Sequence, residues 1–430
     1  MNRIDKALPT GLLLLCPLPA MAADGVTDGA STAWILTSTA LVLMMTLPGL
    51  ALFYGGLVRA KNVLSILMQC FAIACLASIL WVVAGYGLSF GDGGTANPLI
   101  GAGKWFLSGI TAASLAGGIP ESVYLMFQMT FAIITPALVI GGFAERIRFV
   151  SVLGFALLWS LLVYFPVCHW VWGGGWLAER NVMDFAGGIV VHTTAGVAAL
   201  VAALVLGRRR GFPATAMPPH NLTATVTGAG LLWVGWFGFN GGSALSADGS
   251  AGMAILATHI AASAGAFTWM TIEWLRFGKP SVLGTVTGLI AGLGTITPAA
   301  GHVGPAGALA IGVLAGLVCF SATQYLKRVL KIDDSLDVFP VHGVGGIVGS
   351  ILTAIFASPV LGGAGYAQGM DLAGQLQIQV IALVATIIWC ALATFLILRL
   401  LDATFGLRVS PDEETEGLDV VEHEERGYIF

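Results

Sequence analysis

His192 and His342 are the residues of this chain best suited to chemistry, because each lies inside a long apolar segment beside small residues. A neutral imidazole has one hydrogen-bond donor and one acceptor, so two facing rings can pass a proton or bind a small polar molecule. A polar ring in hydrocarbon is costly and normally faces a neighbouring helix or a pathway. An aspartate precedes each histidine, Asp184 and Asp337. The alternative interpretation is two packed core histidines satisfied by nearby hydroxyl or carbonyl groups.

The composition is that of a protein with many membrane-spanning helices. Of the 430 residues, 57% are hydrophobic and 10% are charged, whereas a soluble domain carries roughly 25% charged residues. The six cysteines are scattered and form neither a disulfide framework nor a CxxC metal site. Neither histidine has a second ligand at helical spacing, which argues against a membrane enzyme with haem or metal. We therefore predict no cofactor, no metal, no catalytic residue and no enzymatic activity.

Residues 1–22 have the features of a secretory signal peptide. Arg3 and Lys6 form a basic start, Leu12–Leu15 an apolar run, and Ala20–Ala22 a small-residue cleavage site. The apolar run is far shorter than the roughly 20 residues that a transmembrane helix needs.

Apolar segments interrupted by glycine, proline and charge predict eleven transmembrane helices after this signal. Segments of this length satisfy their backbone in lipid as helices. Gly284, Gly288 and Gly292 have the small-xxx-small spacing that lets helices approach closely, which favours a tight bundle with a narrow path. We place the spans near 32–55, 63–90, 121–143, 149–169, 187–207, 222–241, 251–275, 281–299, 304–327, 341–357 and 374–402.

The basic residues predict the orientation. Cytoplasmic loops carry an excess of lysine and arginine. With the mature N-terminus outside, the outer loops hold only Lys104 and Arg180, and the inner side holds 15 basic residues: Arg59, Lys61, Arg146, Arg148, Arg208, Arg209, Arg210, Arg276, Lys279, Lys327, Arg328, Lys331, Arg399, Arg408 and Arg426. The acidic tail is then cytoplasmic, either as a mobile solvated segment or as a contact for a partner. Since topology explains the basic residues, we expect no nucleic-acid partner.

An internal repeat of five helices is indicated by two features. Leu52–Gly56 ends the first span and Trp236–Gly242 ends the sixth, both with an aromatic pair before a glycine pair, and the two histidines fall in the fifth and tenth spans. Five crossings invert the next unit, and inverted repeats place a substrate path near the membrane midplane. We predict an all-α polytopic membrane protein with a 5+5 inverted repeat plus one extra helix. Its parts are a signal peptide (1–22), two repeats (23–207 and 208–357), a loop with the eleventh helix (358–403) and a tail (404–430).

Six longer motifs carry more specific information. They are Pro48–Arg59, Ala144–Phe149, His169–Gly175, Asp184–His192, Trp236–Asn240 and Asp337–Gly343. Together they resemble the ammonium transporter family, the Amt, Mep and Rh proteins, and within it the bacterial ammonia channels. The likeness extends from the signal peptide to the tail. One departure is Pro340, where we would expect glycine, so the start of the tenth helix is expected to differ locally.

The resemblance implies a homotrimer in which each protomer has its own conduction path for ammonium or ammonia. It implies an external recruitment site formed by Phe127, Phe131, Trp172 and Ser243. Below that site it implies a pore with stacked Phe131 and Phe239, followed by His192 and His342. It also implies supporting positions near the site and pore, namely Asp184, Gln128 and Thr297.

The residue types suit such a substrate. Aromatic faces attract a cation by roughly 0.5–2 kcal/mol each, and a Ser243 hydroxyl can accept an N–H donor that potassium lacks. A bare cation at the bilayer centre costs at least about 3 kcal/mol, a cost that neutral ammonia avoids. An apolar path therefore selects for an ion that can give up its proton. Because burial disfavours imidazolium, we expect both histidines to be neutral.

Several alternatives stay open at this level. Trp172 taken alone is more typical of an interfacial aromatic belt, and the site interpretation depends on its glycine-rich context and the resemblance. Asp184 can cap its helix rather than attract cations. An ammonium sensor and a channel for other small neutral gases such as CO2 are the rival functions. The net transported species, NH3 or NH4+, and its proton route are undecided by the residues. The resemblance also raises a PII-type signal protein as a cytoplasmic partner, and it implies a bacterial inner membrane as the location.

Overall fold

In this computed structural model, which describes residues 27–429, the chain is almost entirely helical. The predicted signal peptide lies outside the described residues. The first eleven helices, α1–α11, are Gly29–Leu57, Ala60–Phe90, Glu121–Phe143, Phe149–Val171, Gly188–Leu206, Leu222–Gly242, Gly249–Phe277, Val282–Ile296, Pro305–Leu330, Phe339–Phe356 and Leu372–Thr404. Two short helices follow, α12 (Pro411–Glu416) and α13 (Leu418–His423), and one small antiparallel hairpin pairs β1 (Leu115–Ala116) with β2 (Ile119–Pro120).

Ten of these helices in the described part of the chain are long and apolar enough to cross a membrane. The remaining apolar helix, α8, has 15 residues, fewer than the roughly 20 of a typical span. It lies within the predicted span 281–299, and the chain continues through a turn at 297–302. The polytopic helical fold is therefore confirmed, and the eleventh crossing stays a prediction.

Polar side chains at the predicted boundaries explain where several helices begin. Asn221 and Ser281 accept hydrogen bonds from the third backbone N–H of α6 and α8, at 2.9 and 2.8 Å. Asp248 and Asp371 cap α7 and α11 in the same manner. Such caps satisfy amide groups that have no partner within the helix.

Glycines set the close packing of α7 against α8. A Cβ added at Gly265 would lie 2.6 Å from the carbonyl oxygen of Gly288, and one added at Gly288 would lie 2.7 Å from that of Gly265. The backbones thus meet where only glycine fits, as the small-xxx-small spacing predicts.

A buried ion-pair network ties together loops at one end of the bundle. Arg209 binds Glu145 and Asp333, each at 2.7 Å, and Arg59 binds Glu145 at 3.0 Å. Arg209, Glu145 and Arg59 follow α5, α3 and α1, respectively. Asp333 precedes α10, so the network joins both halves of the chain. We call this end the Lys327 end and the opposite one the Trp172 end.

The tail is folded against the Lys327 end, which differs from the mobile solvated segment considered above. The carboxylate of Glu414 accepts hydrogen bonds from the Arg210 backbone and the Arg408 guanidinium, both at 2.7 Å. Asp419 accepts one from the Ser65 backbone at 2.8 Å. Acidic groups of the tail thus accept hydrogen bonds from the backbone outside the tail and from an arginine within it.

Candidate functional site

His192 and His342 meet in the middle of the bundle. Their Nδ1 atoms lie 3.3 Å apart, and the rings are nearly parallel, with centroids 5.2 Å apart and an interplanar angle of 18°. His192 is in the first turns of α5 and His342 in those of α10, the equivalent helices of the two proposed repeats. Two nitrogens at this distance share one proton, so one ring donates and the other accepts.

The pair borders two adjoining cavities, which share His342 in their linings. One is small and apolar, and it is lined by both histidines together with Phe239, Trp236, Val191 and Leu138. The other opens at the Lys327 end and is lined by His342, Phe53, Tyr54, Lys327 and Asp337. The Nε2 atom of His192 is buried and makes no hydrogen bond, which leaves it as a polar group facing apolar surroundings.

Phe239, which lines the small cavity, is stacked on Phe131. Their ring centroids are 4.3 Å apart with an interplanar angle of 36°, and both side chains are buried. Phe239 also stacks against His192, with centroids 6.1 Å apart. The phenylalanine pair and the histidine pair are therefore consecutive in space, although they come from α3, α6, α5 and α10.

Aromatic rings continue from this stack toward the Trp172 end. Phe127 and Trp172 contact Phe131 edge to face, with centroids 5.1 and 5.8 Å from it. Trp172 is partly exposed in an open pocket, whereas Phe127 is fully buried. Trp172 is thus in contact with the phenylalanine stack, a position that an isolated interfacial belt residue would not occupy.

Ser243 follows α6 and is partly buried. Its hydroxyl donates to the Phe239 carbonyl oxygen at 2.8 Å. Because the single hydroxyl proton is used in this bond, the oxygen lone pairs are left to accept hydrogen bonds from another donor.

Asp184 caps α5. Its two carboxylate oxygens accept hydrogen bonds from the backbone N–H groups of four successive residues, 187–190. The Asp184 carbonyl oxygen accepts a bond from Trp172 Nε1 at 2.8 Å. The geometry therefore favours the capping role, and the main chain of the same residue holds the Trp172 ring in place.

Residues 33–428 match the model of the Ammonium Transporter Family. The ammonium transporter of Aquifex aeolicus (strain VF5) is 46% identical over 416 residues, which cover 95% of this chain and 96% of that protein. The one from Bacillus subtilis (strain 168) is 46% identical over 404 residues, with 92% and 98% covered. The chain belongs to the ammonium transporter family.

Solved structures of related ammonium transporter family proteins have the same fold as this chain. Saccharomyces cerevisiae Mep2 is similar with a TM-score of 0.83 and 37% identity, covering 90% of this chain and 89% of that one. A structure named Sensor Amt Protein is similar with a TM-score of 0.86 and 30% identity, covering 92% and 98%. The predicted family and fold class are confirmed.

Asp334, rather than Asp337, is the counterpart of Asp184 in this ammonium transporter family fold. Its carboxylate accepts hydrogen bonds from the backbone N–H groups of Val338 and Phe339 at 3.1 and 2.7 Å, next to the start of α10. Asp337 instead forms an ion pair with Lys327 at 2.6 Å. Asp184 and Asp334 both lie eight residues before their histidine, a matched spacing that would have identified Asp334 from the sequence.

Thr297 and Gln128, the other two supporting positions, differ from each other in their hydrogen bonding. The Thr297 hydroxyl accepts a hydrogen bond from Trp236 Nε1 at 2.9 Å and donates to the Leu293 carbonyl oxygen at 2.8 Å. It therefore orients the indole that stacks on His192, with ring centroids 5.5 Å apart. Gln128 is buried beside Phe127 in the chain, and its Oε1 atom makes no hydrogen bond.

Pro340 lies in the first turn of α10, where the missing N–H of proline costs no hydrogen bond. The departure from the expected glycine is thus compatible with the helix start. Among the residues that the structure describes, no group of three or more His, Cys, Asp or Glu side chains is placed to hold a metal ion.

Proposed function

We propose that this chain transports ammonium across a bacterial inner membrane, with the Trp172 end outside and the Lys327 end in the cytoplasm. The relatives at 46% identity are named ammonium transporters, which supports this function over an enzymatic one. The excess of basic residues at the Lys327 end supports the orientation. The chain is then organised as a signal peptide (1–22), two repeats (23–207 and 208–357), a segment with the eleventh helix (358–403) and a tail (404–430). The similar capping and histidine spacing in the two repeats support their common origin.

The recruitment step takes place at Trp172, Phe127, Phe131 and Ser243. Aromatic faces attract a cation by roughly 0.5–2 kcal/mol each, and the Ser243 oxygen, whose own proton is engaged, accepts an N–H of ammonium. Potassium has no such donor. Weak binding suits transport, because the ion must leave again.

Deprotonation follows because the next region excludes charge, and the proton either returns to the outer water, which gives net NH3 transport, or crosses by a separate route, which gives net NH4+ transport. The Phe131–Phe239 stack and the apolar cavity beneath it offer a cation no polar ligand until it reaches the histidines. A charge there costs at least about 3 kcal/mol. Ammonia then passes the stack and is received by His192 and His342, whose paired rings provide both an acceptor and a donor. The observation that carries this proposal is the 3.3 Å contact between the two rings, directly below the phenylalanine stack.

Proteoliposome flux with ammonium, methylammonium and potassium, recording current and internal pH together, tests the function. Saturable uptake of the first two with exclusion of potassium supports it. A current with each transported ion identifies net NH4+, and an internal alkalinisation without current identifies net NH3. Absence of ammonium flux in folded protein would refute it. The same vesicles supplied with CO2 test the alternative of a channel for other neutral gases.

Polar groups on one exposed face support contact with another protein, and we propose that this contact forms the homotrimer that the family resemblance implies. His259 is exposed near the middle of α7 and stacks on Trp233 of α6, with centroids 5.1 Å apart, and exposed Ser263 lies one turn further on. Polar side chains at this depth in a membrane almost always face protein. We place the contact between protomers on this α6–α7 face. The molecular mass of the detergent-solubilised protein and of a His259→Leu/Ser263→Leu variant tests this placement.

A cytoplasmic partner of the PII signal type is proposed for the Lys327 end. Arg208, Arg276, Lys279, Arg328 and Lys331 are exposed there. Co-purification from nitrogen-replete cells that is lost on adding 2-oxoglutarate and ATP supports this partner, and failure of capture under every nitrogen status contradicts it.

Sensing is the second candidate function, because one similar structure is named Sensor Amt Protein. A sensor predicts ammonium binding and a signalling output without saturable flux. The proteoliposome measurement therefore separates the two functions.

A further inference from the structure

The open pocket at the Trp172 end contains an ion pair that the transport path described above does not use. Its walls include Trp172 and Tyr124 together with Tyr86, Lys104 and Glu121. An ion that approaches Trp172 through this pocket therefore passes the carboxylate of Glu121. The two residues of the ion pair differ in exposure, since the side chain of Glu121 is 10% exposed and that of Lys104 is 38% exposed.

Three contacts define the geometry around the Lys104 ammonium group. Its Nζ atom donates to Glu121 Oε1, and the same oxygen accepts the hydroxyl proton of Tyr86 at 2.8 Å. Lys104 Nζ also lies 5.2 Å from the centroid of the Tyr86 ring. A buried tyrosine therefore orients the carboxylate and at the same time presents a π-face to the cation.

A lysine side chain ends in a primary ammonium group, so this arrangement is already a binding site for an N–H cation. Ammonium has the same charge and the same kind of donors, whereas potassium has the charge alone. A carboxylate oxygen that accepts N–H bonds beside an aromatic face recognises both properties. What differs is that Lys104 is tethered to the protein.

The loop that carries Lys104 is strained. Lys104, Phe106 and Leu107 have φ values of 51°, 53° and 57°, in the left-handed region that disfavours residues with a side chain. The Lys104–Glu121 contact is one of the interactions that hold this loop, together with backbone hydrogen bonds such as that from Leu107 N–H to the Lys104 carbonyl oxygen at 2.9 Å.

We propose that Glu121 and Tyr86 form a second ammonium site in the outer pocket, and that Lys104 is its tethered competitor. An arriving ion displaces Lys104 from Glu121 and then moves on to the aromatic rings at Trp172. Lys104 thereby weakens the apparent affinity for substrate and hastens its release toward the next site. This inference rests on the proposed transport function, but it makes a separate statement about three residues outside the histidine pair.

Half-saturation constants for methylammonium uptake into proteoliposomes test the competition. Lys104→Met is expected to lower the constant about two- to fivefold, as suits a partly exposed ion pair. Lys104→Arg, which keeps a tethered cation, is the matched control and should stay near wild type. Glu121→Gln is expected to raise the constant, and adding Glu121→Gln to Lys104→Met should abolish the gain.

A second form of the test uses one protein before and after modification, so that folding is held constant. In a Cys16→Ala/Cys75→Ala background, Lys104→Cys is expected to behave like Lys104→Met. Reaction with the ethylammonium methanethiosulfonate restores a tethered N–H cation and should restore the wild-type constant, whereas the methyl reagent should not. An unchanged or raised constant for Lys104→Met and for unmodified Lys104→Cys would overturn the competition while leaving transport intact. Absence of saturable uptake by the wild type would instead refute the proposed function.

Discussion

The Nδ1 atoms of His192 and His342 are 3.3 Å apart, although 150 residues separate them in the chain. Each ring comes from the beginning of an equivalent helix. Each helix is capped by an aspartate that lies eight residues before the histidine in the chain. The pairing therefore depends on the placement of two helix starts from opposite halves of the protein.

Replacement of either histidine by alanine is expected to abolish saturable ammonium uptake or to admit potassium. Without one ring, the other has no partner for proton exchange, and the space left behind can hold water. Flux of ammonium and potassium into proteoliposomes measures both outcomes. His220→Asn, at the Lys327 end, serves as the control. Wild-type flux and selectivity in both His192→Ala and His342→Ala would refute a role of the pair in the path.

Ser243→Ala is expected to raise the half-saturation constant for ammonium roughly tenfold. The lost hydrogen bond involves a charged donor, and such bonds are worth about 1.5 kcal/mol or more. Ser243→Thr, which keeps the hydroxyl, should restore most of the affinity. A normal constant in the folded alanine variant would exclude Ser243 from recruitment.

Asp184→Ala and Asp334→Ala are expected to destabilise the protein by similar amounts, about 1–2 kcal/mol each, because each carboxylate caps the start of its helix. The apparent melting temperature in detergent measures this, with the exposed Asp412→Ala as control. If Asp184 acted only by attracting cations, its variant would be as stable as wild type and would show a raised half-saturation constant.

Much of this fold could be predicted from the sequence, because a membrane imposes long apolar helices and basic loops on one side. Residue type and local context also singled out His192 and His342, since a polar ring in an apolar segment is costly. Proximity in the sequence favours Asp337 over Asp334 as the partner of His342, whereas in the structure Asp334 caps α10. The cap depends on the backbone geometry before α10, where Asp337 has a φ of 61° and its side chain turns to Lys327.

Contacts between distant polar segments could not be predicted from sequence patterns. The tail from 404 onward is short and acidic, and such composition is typical of solvated segments. Its docking depends on donors such as Arg210, in the loop after α5, and Ser65, in the first turns of α2. The Lys104–Glu121 contact likewise joins a loop to the start of α3. No residue pattern within one segment indicates which residue of a distant segment it will contact.

The network around Arg209 is expected to make stability depend on acid pH. Burial raises the pKa of Glu145, but the cations Arg209 and Arg59 outweigh it, so that its pKa lies below the ordinary value. The pKa of Asp333 is also lowered, because its bonds to Arg209 outweigh the effect of burial. Groups with lowered folded-state pKa values stabilise the protein above their ordinary pKa of about 4 and lose this effect as the pH falls further.

Arg209→Met should therefore cost about 3 kcal/mol or more at neutral pH, since it leaves buried carboxylates without their cation. Its apparent melting temperature should depend less on pH below about 4 than that of the wild type. Arg399→Met, which removes an exposed arginine, is the control. Equal pH dependence in wild type and Arg209→Met would show that the network does not govern acid stability.

Glu414→Ala is expected to release the tail from Pro411 onward, because this one carboxylate joins it to the Arg210 backbone and to Arg408, which donates to the Leu206 and Arg208 carbonyl oxygens. Limited proteolysis with Glu-C, which cleaves after the glutamates of 413–425, measures the release as faster cleavage. Glu425→Ala removes an exposed glutamate that holds no such pair of donors and should leave the remaining cleavage rate unchanged. Cleavage of Glu414→Ala at the wild-type rate would mean that the remaining contacts, such as that of Asp419 with Ser65 at 2.8 Å, hold the tail by themselves.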